Sequence, residues 1–286
     1  MTLCLAWTQN DKIHLASDSR GGDEENYLDT LIKVVDIRVI IETPVEQDDT
    51  TEIAYDHTLG LCFSGSTLNS VIVKDHITET LRHLQFLPGI TELSLHNICK
   101  TIGKYFRLVS ANFKKGYGWD PETVFLIGGY CLLLKKVALY RLELFPTDDE
   151  QDYELVIDRM MEDPEEICYL GSGQDHAREL IEAEDLSGSS AILGVLREIC
   201  LDENHPDVGG YIQFGLFEGD DFVLRGIQDY IIDEYDEIKF LHVYRGIVLH
   251  DGDFAIDENE FQIRMKYLSP FKKDTDAYFE RKAAEE

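Results

Sequence analysis

Apolar and polar residues alternate in short runs from the start of the chain. Leu3-Cys4-Leu5-Ala6-Trp7 and Ile13-His14-Leu15-Ala16 are apolar stretches separated by the polar Gln9-Asn10-Asp11-Lys12, a layout that predicts a β-hairpin. A third strand is predicted over 32–41. The segment 42–52, rich in carboxylates and containing Pro44, reads as a solvated loop. Strands are predicted again at 52–55 and 59–63.

The period then changes. Ser66 or Thr67 can cap a helix running toward Phe86, and a second helix starts near Thr91, after the breaker Pro88-Gly89. Within it Leu95, Ile98, Cys99, Ile102, Phe106 and Val109 recur every three or four residues, so one face is buried. Strand patterns return at 123–127, 132–142, 153–157 and 166–170. Another helix pair follows at 174–184 and 189–201, the latter with Ile192, Val195, Leu196 and Ile199 on one side. Strands at 211–217 and 221–227 come after the Gly209-Gly210 turn. Two sheets stacked face to face, each carrying a helix pair on its outer surface, would bury everything this pattern marks as apolar. The expected fold class is α+β, a four-layer αββα sandwich of two antiparallel sheets. Residues 2–227 are expected to form this domain, and the acidic 228–286 a strand-and-helix extension packed on it.

Composition narrows the function classes. Of 286 residues, 44 % are hydrophobic and 29 % charged, the profile of a folded chain. Acidic residues outnumber basic ones by 56 to 26, a formal charge of -30. Such a surface repels phosphate backbones, so nucleic acid and anionic membranes are not expected as partners. Its plain reading is solubility or adaptation to salt. The six cysteines are scattered, with no C-x-x-C pair and no histidine cluster at ligand spacing, so no metal is expected. Most sit in apolar runs, which suits a reducing compartment. With no apolar run of about 18 residues and no signal-peptide layout at the start, a cytoplasmic location is expected.

Thr2 gains interest from its company. Removal of Met1 would leave a threonine that carries nucleophile and base in one residue, its hydroxyl attacking and its α-amino group taking the proton, directly or through water. An unperturbed α-amine titrates near about 7.7–8.0, and a nearby ammonium lowers that value. Lys33 can supply the ammonium, and Asp18, at the end of the second hairpin strand, can hold Lys33 charged and aimed. Taken singly, each is more often a surface ion pair.

The runs Met1-Thr2-Leu3-Cys4-Leu5, Leu15-Ala16-Ser17-Asp18-Ser19-Arg20 and Lys33-Val34-Val35 resemble the start of proteasome β subunits and of the related bacterial peptidase partnered by an ATP-dependent unfoldase. Leu61-Cys62-Phe63-Ser64-Gly65-Ser66-Thr67 and Tyr169-Leu170-Gly171-Ser172-Gly173-Gln174 resemble later segments of that family, in the same order, and Val208-Gly209-Gly210 is a weaker likeness. The resemblance spans about residues 1 to 227 and implies the N-terminal-nucleophile (Ntn) hydrolase fold and a threonine-type peptidase. It implies Thr2 as nucleophile and base, Asp18 and Lys33 as the tuning pair, Ser172 as hydrogen-bond partner of the amine, and the Gly65 N–H as oxyanion donor. Gly21, Gly22, Ser66 and Thr67 would line the groove for an extended peptide, and Phe63 the first pocket. It further implies a peptide or protein substrate, a ring-like homo-oligomer, an unfoldase partner, and no metal or organic cofactor.

Plainer readings stand beside these. The glycines serve turns, Ser172 caps a helix, His176 is a surface residue of a first helical turn, and His14 is structural. The chain also departs from the family pattern at His205-Pro206-Asp207-Val208-Gly209-Gly210, where the expected aspartate falls on His205 and the expected serine on Val208. Two rival functions follow: a catalytically inactive structural subunit, and an amidohydrolase of small non-peptide amides.

Overall fold

A computed structural model describes residues 2–22, 26–44, 50–87, 92–147, 152–163, 165–249 and 265–285. The expected first hairpin is present as β1 (Cys4–Gln9) and β2 (Lys12–Ser17). Asn10 and Asp11 at its tip take φ of 51° and 59°, the left-handed pair that a tight two-residue hairpin turn demands. A small ribbon follows, β3 (Gly21–Gly22) with β4 (Tyr27–Leu28).

β5 (Val34–Pro44) and β6 (Thr51–Gly65) form one long hairpin. Residues 42–44 and 51–52, read from the sequence as loop, are therefore paired strand; 45–49 lie outside the described residues. Ladder hydrogen bonds need no apolar side chains where a hairpin projects past the core, which is why polar composition misleads there. The runs predicted at 52–55 and 59–63 are a single strand.

α1 (Thr67–Thr80) gives way to a 3-10 turn, Leu81–His83, and to β7 (Leu84–Gln85), which pairs in parallel with Ile41 and Glu42 of β5. The helix expected toward Phe86 thus ends early, because that stretch covers the β5 edge. α2 (Leu95–Tyr117) is N-capped by Ser94, whose Oγ accepts from the Asn97 N–H at 3.3 Å, and stops at Gly118 with φ 72°. The start expected near Thr91 lies outside the described residues.

β8 (Thr123–Cys131), β9 (Lys136–Pro146), β10 (Tyr153–Met160) and β11 (Cys168–Leu170) come next. Residues 132–135, expected in a strand, make the β8–β9 turn, with Lys135 at φ 52°. α3 (Gln174–Ala183), α4 (Ser189–Leu201), β12 (Gln213–Glu218) and β13 (Asp221–Ile232) follow. The chain then runs through β14 (Ile238–Tyr244), β15 (Ile247–Val248), β16 (Tyr267–Leu268) and α5 (Lys272–Glu285).

Two large sheets result. One is ordered β11-β1-β2-β12-β13-β14-β15, with β16 added to β13; the other is β10-β9-β8-β6-β5-β7. All long pairings are antiparallel, and only short β7 and β16 join in parallel among the described strands. Because side chains alternate across a strand, each sheet sorts its residues into two layers. Leu3, Leu5 and Trp7 face α3 and α4 together with Ile181, Ile192 and Leu196. Val35, Ile37, Leu61, Phe63 and Ile127 face α1 and α2 with Val73, Ile102 and Phe106. Between the sheets lie Cys4, Ala6, Leu15, Val34, Cys62 and Leu126. Each fully buried leucine or phenylalanine stabilises this arrangement by about 1.5–3 kcal/mol. The fold is the expected αββα sandwich. No helix among the described residues is long and apolar enough to cross a membrane.

Candidate active site

Three chain segments meet at one end of the sandwich. Thr2 lies before β1, Asp18 just after β2, and Lys33 just before β5. Antiparallel register opposes Cys4 with Ser17, so the residues beyond that pair share one corner, where the Asp18 N–H donates to the Leu3 carbonyl at 3.2 Å. Lys33 Nζ spans the corner, donating to Asp18 Oδ1 at 2.8 Å and to Thr2 Oγ1 at 2.6 Å. Thr2, Asp18 and Lys33 are 2 %, 0 % and 1 % exposed.

A buried ion pair is tolerated only when its remaining polar atoms are satisfied. Asp18 meets this condition. Beyond Lys33, Oδ1 accepts from the Leu3 N–H at 3.0 Å, and Oδ2 from the N–H groups of Arg20 at 3.0 Å and Gly209 at 3.2 Å. Lys33 is held from its other side by Gln213, whose Oε1 accepts the N–H groups of Lys33 and Val34 at 2.9 and 3.1 Å, while Nε2 donates to the Leu31 carbonyl. The sequence reading missed Gln213 and the supporting role of Gly209. The one available signal for Gln213 was a glutamine inside an otherwise apolar strand.

Ser172 reaches the same corner from the β11–α3 turn. Its Oγ accepts from the Thr2 N–H at 3.3 Å. The N-cap of α3 is Gly173, without a side-chain capping bond, so Ser172 does not cap the helix. At Gly171, φ is 94°, and a Cβ would lie 2.0 Å from the Thr2 carbonyl oxygen and 3.4 Å from Ser64 Cβ. Glycine here lets the β11–α3 turn lie against the Thr2 main chain.

The other sequence-selected residues lie around this corner. Gly65 ends β6 at φ 100°, where a Cβ would meet the Glu122 carbonyl oxygen at 2.0 Å, so the backbone itself requires glycine. Ser66 and Thr67, half-buried, begin α1. Gly21 and Gly22 form β3, with Gly21 buried and Gly22 exposed. Phe63 is 1 % exposed and packs edge-on against Phe125 in the layer under α1 and α2; it is not part of the Thr2 hydrogen-bonded set. His14 lies apart, stacked on Trp7 with centroids 5.3 Å apart, and burial lowers its pKa to about 4.

The departing loop supports the corner through its main chain. The Ser19 and Arg20 N–H groups donate to the Gly209 carbonyl at 3.1 and 3.0 Å, and Arg20 Nη1 donates to the Pro206 carbonyl at 2.9 Å. Val208 is buried against Gly173 and the apolar layer beneath α3 and α4. His205 turns to Asp202, whose carboxyl is held below the usual range by the Asn204 N–H and then by the imidazole.

The two-sheet αββα architecture fits a proteasome-like Ntn fold. Solved structures agree at the level of fold. The helical assembly of the Anbu complex from Pseudomonas aeruginosa superposes with a TM-score of 0.55 at 15 % identity, over 78 % of this chain and 85 % of that one. A Gly-1 mutant of Anbu from Hyphomicrobium sp. strain MC1 gives 0.52 at 15 % identity, over 100 % of this chain and 97 % of that one. No family model matches the sequence, and no curated protein matches it.

Proposed function

We propose that the chain is a threonine-type peptidase whose nucleophile is Thr2 once whatever precedes it is removed. The observation that carries this reading is the single lysine ammonium that touches both Thr2 Oγ1 and Asp18 Oδ1 in a buried corner. While Met1 remains attached, the Thr2 nitrogen is an amide and has no basic lone pair. Cleavage of the Met1–Thr2 bond converts it to an amine beside the hydroxyl, and Ser172 Oγ holds that nitrogen.

The steps follow from the contacts. Thr2 Oγ1 attacks the substrate carbonyl while its proton passes to the amine, directly or through one water. The Lys33 ammonium, already on Oγ1, stabilises the negative charge as the proton leaves, in a site where little water competes. Asp18 holds Lys33 Nζ in place through the 2.8 Å contact. The Gly65 N–H serves the oxyanion, a contribution of about 10²–10³ in rate for one such donor. The protonated amine then gives its proton to the leaving nitrogen, and water releases the acyl group from Thr2. A peptide would lie as an added strand along Gly21–Gly22 and 65–67.

Self-association into a helical or ring-like array is part of the proposal. It is supported by large exposed apolar side chains at the outer face and end of α2, namely Leu108, Tyr117 and Trp119, and by the helical assembly formed by the Pseudomonas neighbour. We treat 228–286 as an extension of the same domain, since β13 runs through residue 228 and continues into the β13–β14 pairing.

The test is intact-mass analysis of the purified chain with an epoxyketone or β-lactone probe. A mass lacking Met1 and one probe adduct, absent from Thr2→Ala, is the expected result. An adduct that persists on Thr2→Ala, or a fully mature chain that retains Met1, refutes the mechanism and leaves the non-catalytic reading.

A further inference from the structure

The fold brings together three side chains that the sequence keeps apart. His176 stands in the first turn of α3, and Asp202 and His205 in the loop after α4. The two imidazoles stack with centroids 4.5 Å apart and planes 13° from parallel. Asp202 Oδ2 lies 2.8 Å from His205 Nδ1. One ligand atom from each of the three falls within 4.8 Å of the others, and all three residues are half-buried.

We propose that His176, Asp202 and His205 form a binding site for a divalent transition-metal ion of the zinc class. Two imidazoles and one carboxylate are a zinc-type donor set, whereas magnesium and calcium take oxygen ligands almost alone. Bond lengths of about 2.1 Å place two ligand atoms on one tetrahedral zinc about 3.4 Å apart. Contraction from the present spacing needs only side-chain rotation at a half-exposed surface.

The carboxylate is already oriented. Asp202 Oδ1 accepts both the N–H and the side-chain amide of Asn204, at 2.9 and 2.7 Å, which turns Oδ2 toward the imidazole. The loop itself is tethered by the Gly209 and Pro206 main-chain bonds to Asp18 and Arg20. A chain of net charge -30 attracts a cation. Three protein ligands leave a coordination position for water. An ion held here ties the first turn of α3, four residues past Ser172, to the loop that donates to Asp18. The site does not depend on whether Thr2 turns over.

The experiment is calorimetric titration of the chelator-treated full-length chain with zinc, repeated with cobalt to read coordination by absorption. One equivalent should bind, with a cobalt spectrum of nitrogen and oxygen ligands lacking a thiolate band. The thermal midpoint should rise with zinc. His176→Gln and His205→Gln should each weaken binding by more than ~10-fold and abolish the zinc-dependent rise. No binding at micromolar free zinc, or unchanged affinity in His176→Gln, would overturn the site. If His205→Gln fails to fold, His176→Gln, on the half-exposed first turn of α3, decides alone.

Discussion

Two cation–carboxylate pairs of equal length lie at opposite extremes of this molecule. Lys33 and Asp18 meet at 2.8 Å with side chains 1 % and 0 % exposed, whereas Arg38 and Asp56 meet at 2.8 Å on the β5–β6 hairpin with 58 % and 34 % exposed. Distance alone therefore says nothing about what a pair does. At the surface, water already solvates both charges, and their attraction nearly balances the entropy of holding two long side chains together. In the corner, two charges have been stripped of water, and a hydrophobic replacement of the same volume would often serve stability as well or better. With three backbone N–H donors on Asp18 and the Lys33 ammonium on the Thr2 hydroxyl, the pair has the arrangement that the proposed chemistry needs.

Removing one partner from each pair breaks the comparison most sharply. Lys33→Met leaves the Asp18 carboxyl buried without its countercharge, and should cost about 3–5 kcal/mol in chemical denaturation, with probe labelling at Thr2 lost. A midpoint unchanged from the parent would show that water reaches the corner freely.

His14 sharpens the contrast, because it is an ionisable side chain that is buried with no carboxylate partner among the described residues. Burial depresses its folded pKa from 6.5 to about 4. Between these values the unfolded chain takes up a proton that the folded chain refuses. Stability is therefore fully present above 6.5 and lost as pH falls toward 4, by up to about 3 kcal/mol. His14→Phe, stacked on Trp7 in the same place, should flatten that limb of the stability curve; an unaltered limb would assign the acid sensitivity to other groups.

The smallest effect belongs to the surface pair. Arg38→Met should leave the denaturation midpoint and the labelling of Thr2 where they were. A shift comparable to that of Lys33→Met would mean that exposure does not separate the two pairs.

Much of the fold was legible in the sequence because burial imposes a period. Leu3, Leu5 and Trp7 on one face of β1, and Ile192, Val195, Leu196 and Ile199 on one face of α4, announce which sides are covered. Legibility failed where pairing rather than burial decided. Glu42 and Thr43 are strand because Ile53 and Glu52 sit across from them, and Leu84 leaves its helix because Ile41 offers an open edge. Neither pairing leaves a mark on composition.

The candidate site divides in the same way. Thr2, Asp18 and Lys33 could be picked out because the proposed chemistry needs a hydroxyl, a carboxylate and an ammonium, and Ser172 because its Gly-Ser-Gly run resembles a family segment. Gln213 and Gly209 could not, since one acts through an amide in an apolar strand and the other through a main-chain N–H that every residue but proline possesses. His176 and His205 are beyond any spacing argument. What the sequence determined by itself is the set of chemically distinctive side chains and the alternation that sends each strand face inward. What only the tertiary structure decided is which backbone donors and distant side chains come within hydrogen-bond or ligand reach of them, because those contacts depend on sheet register and loop path, and identical peptide groups encode neither.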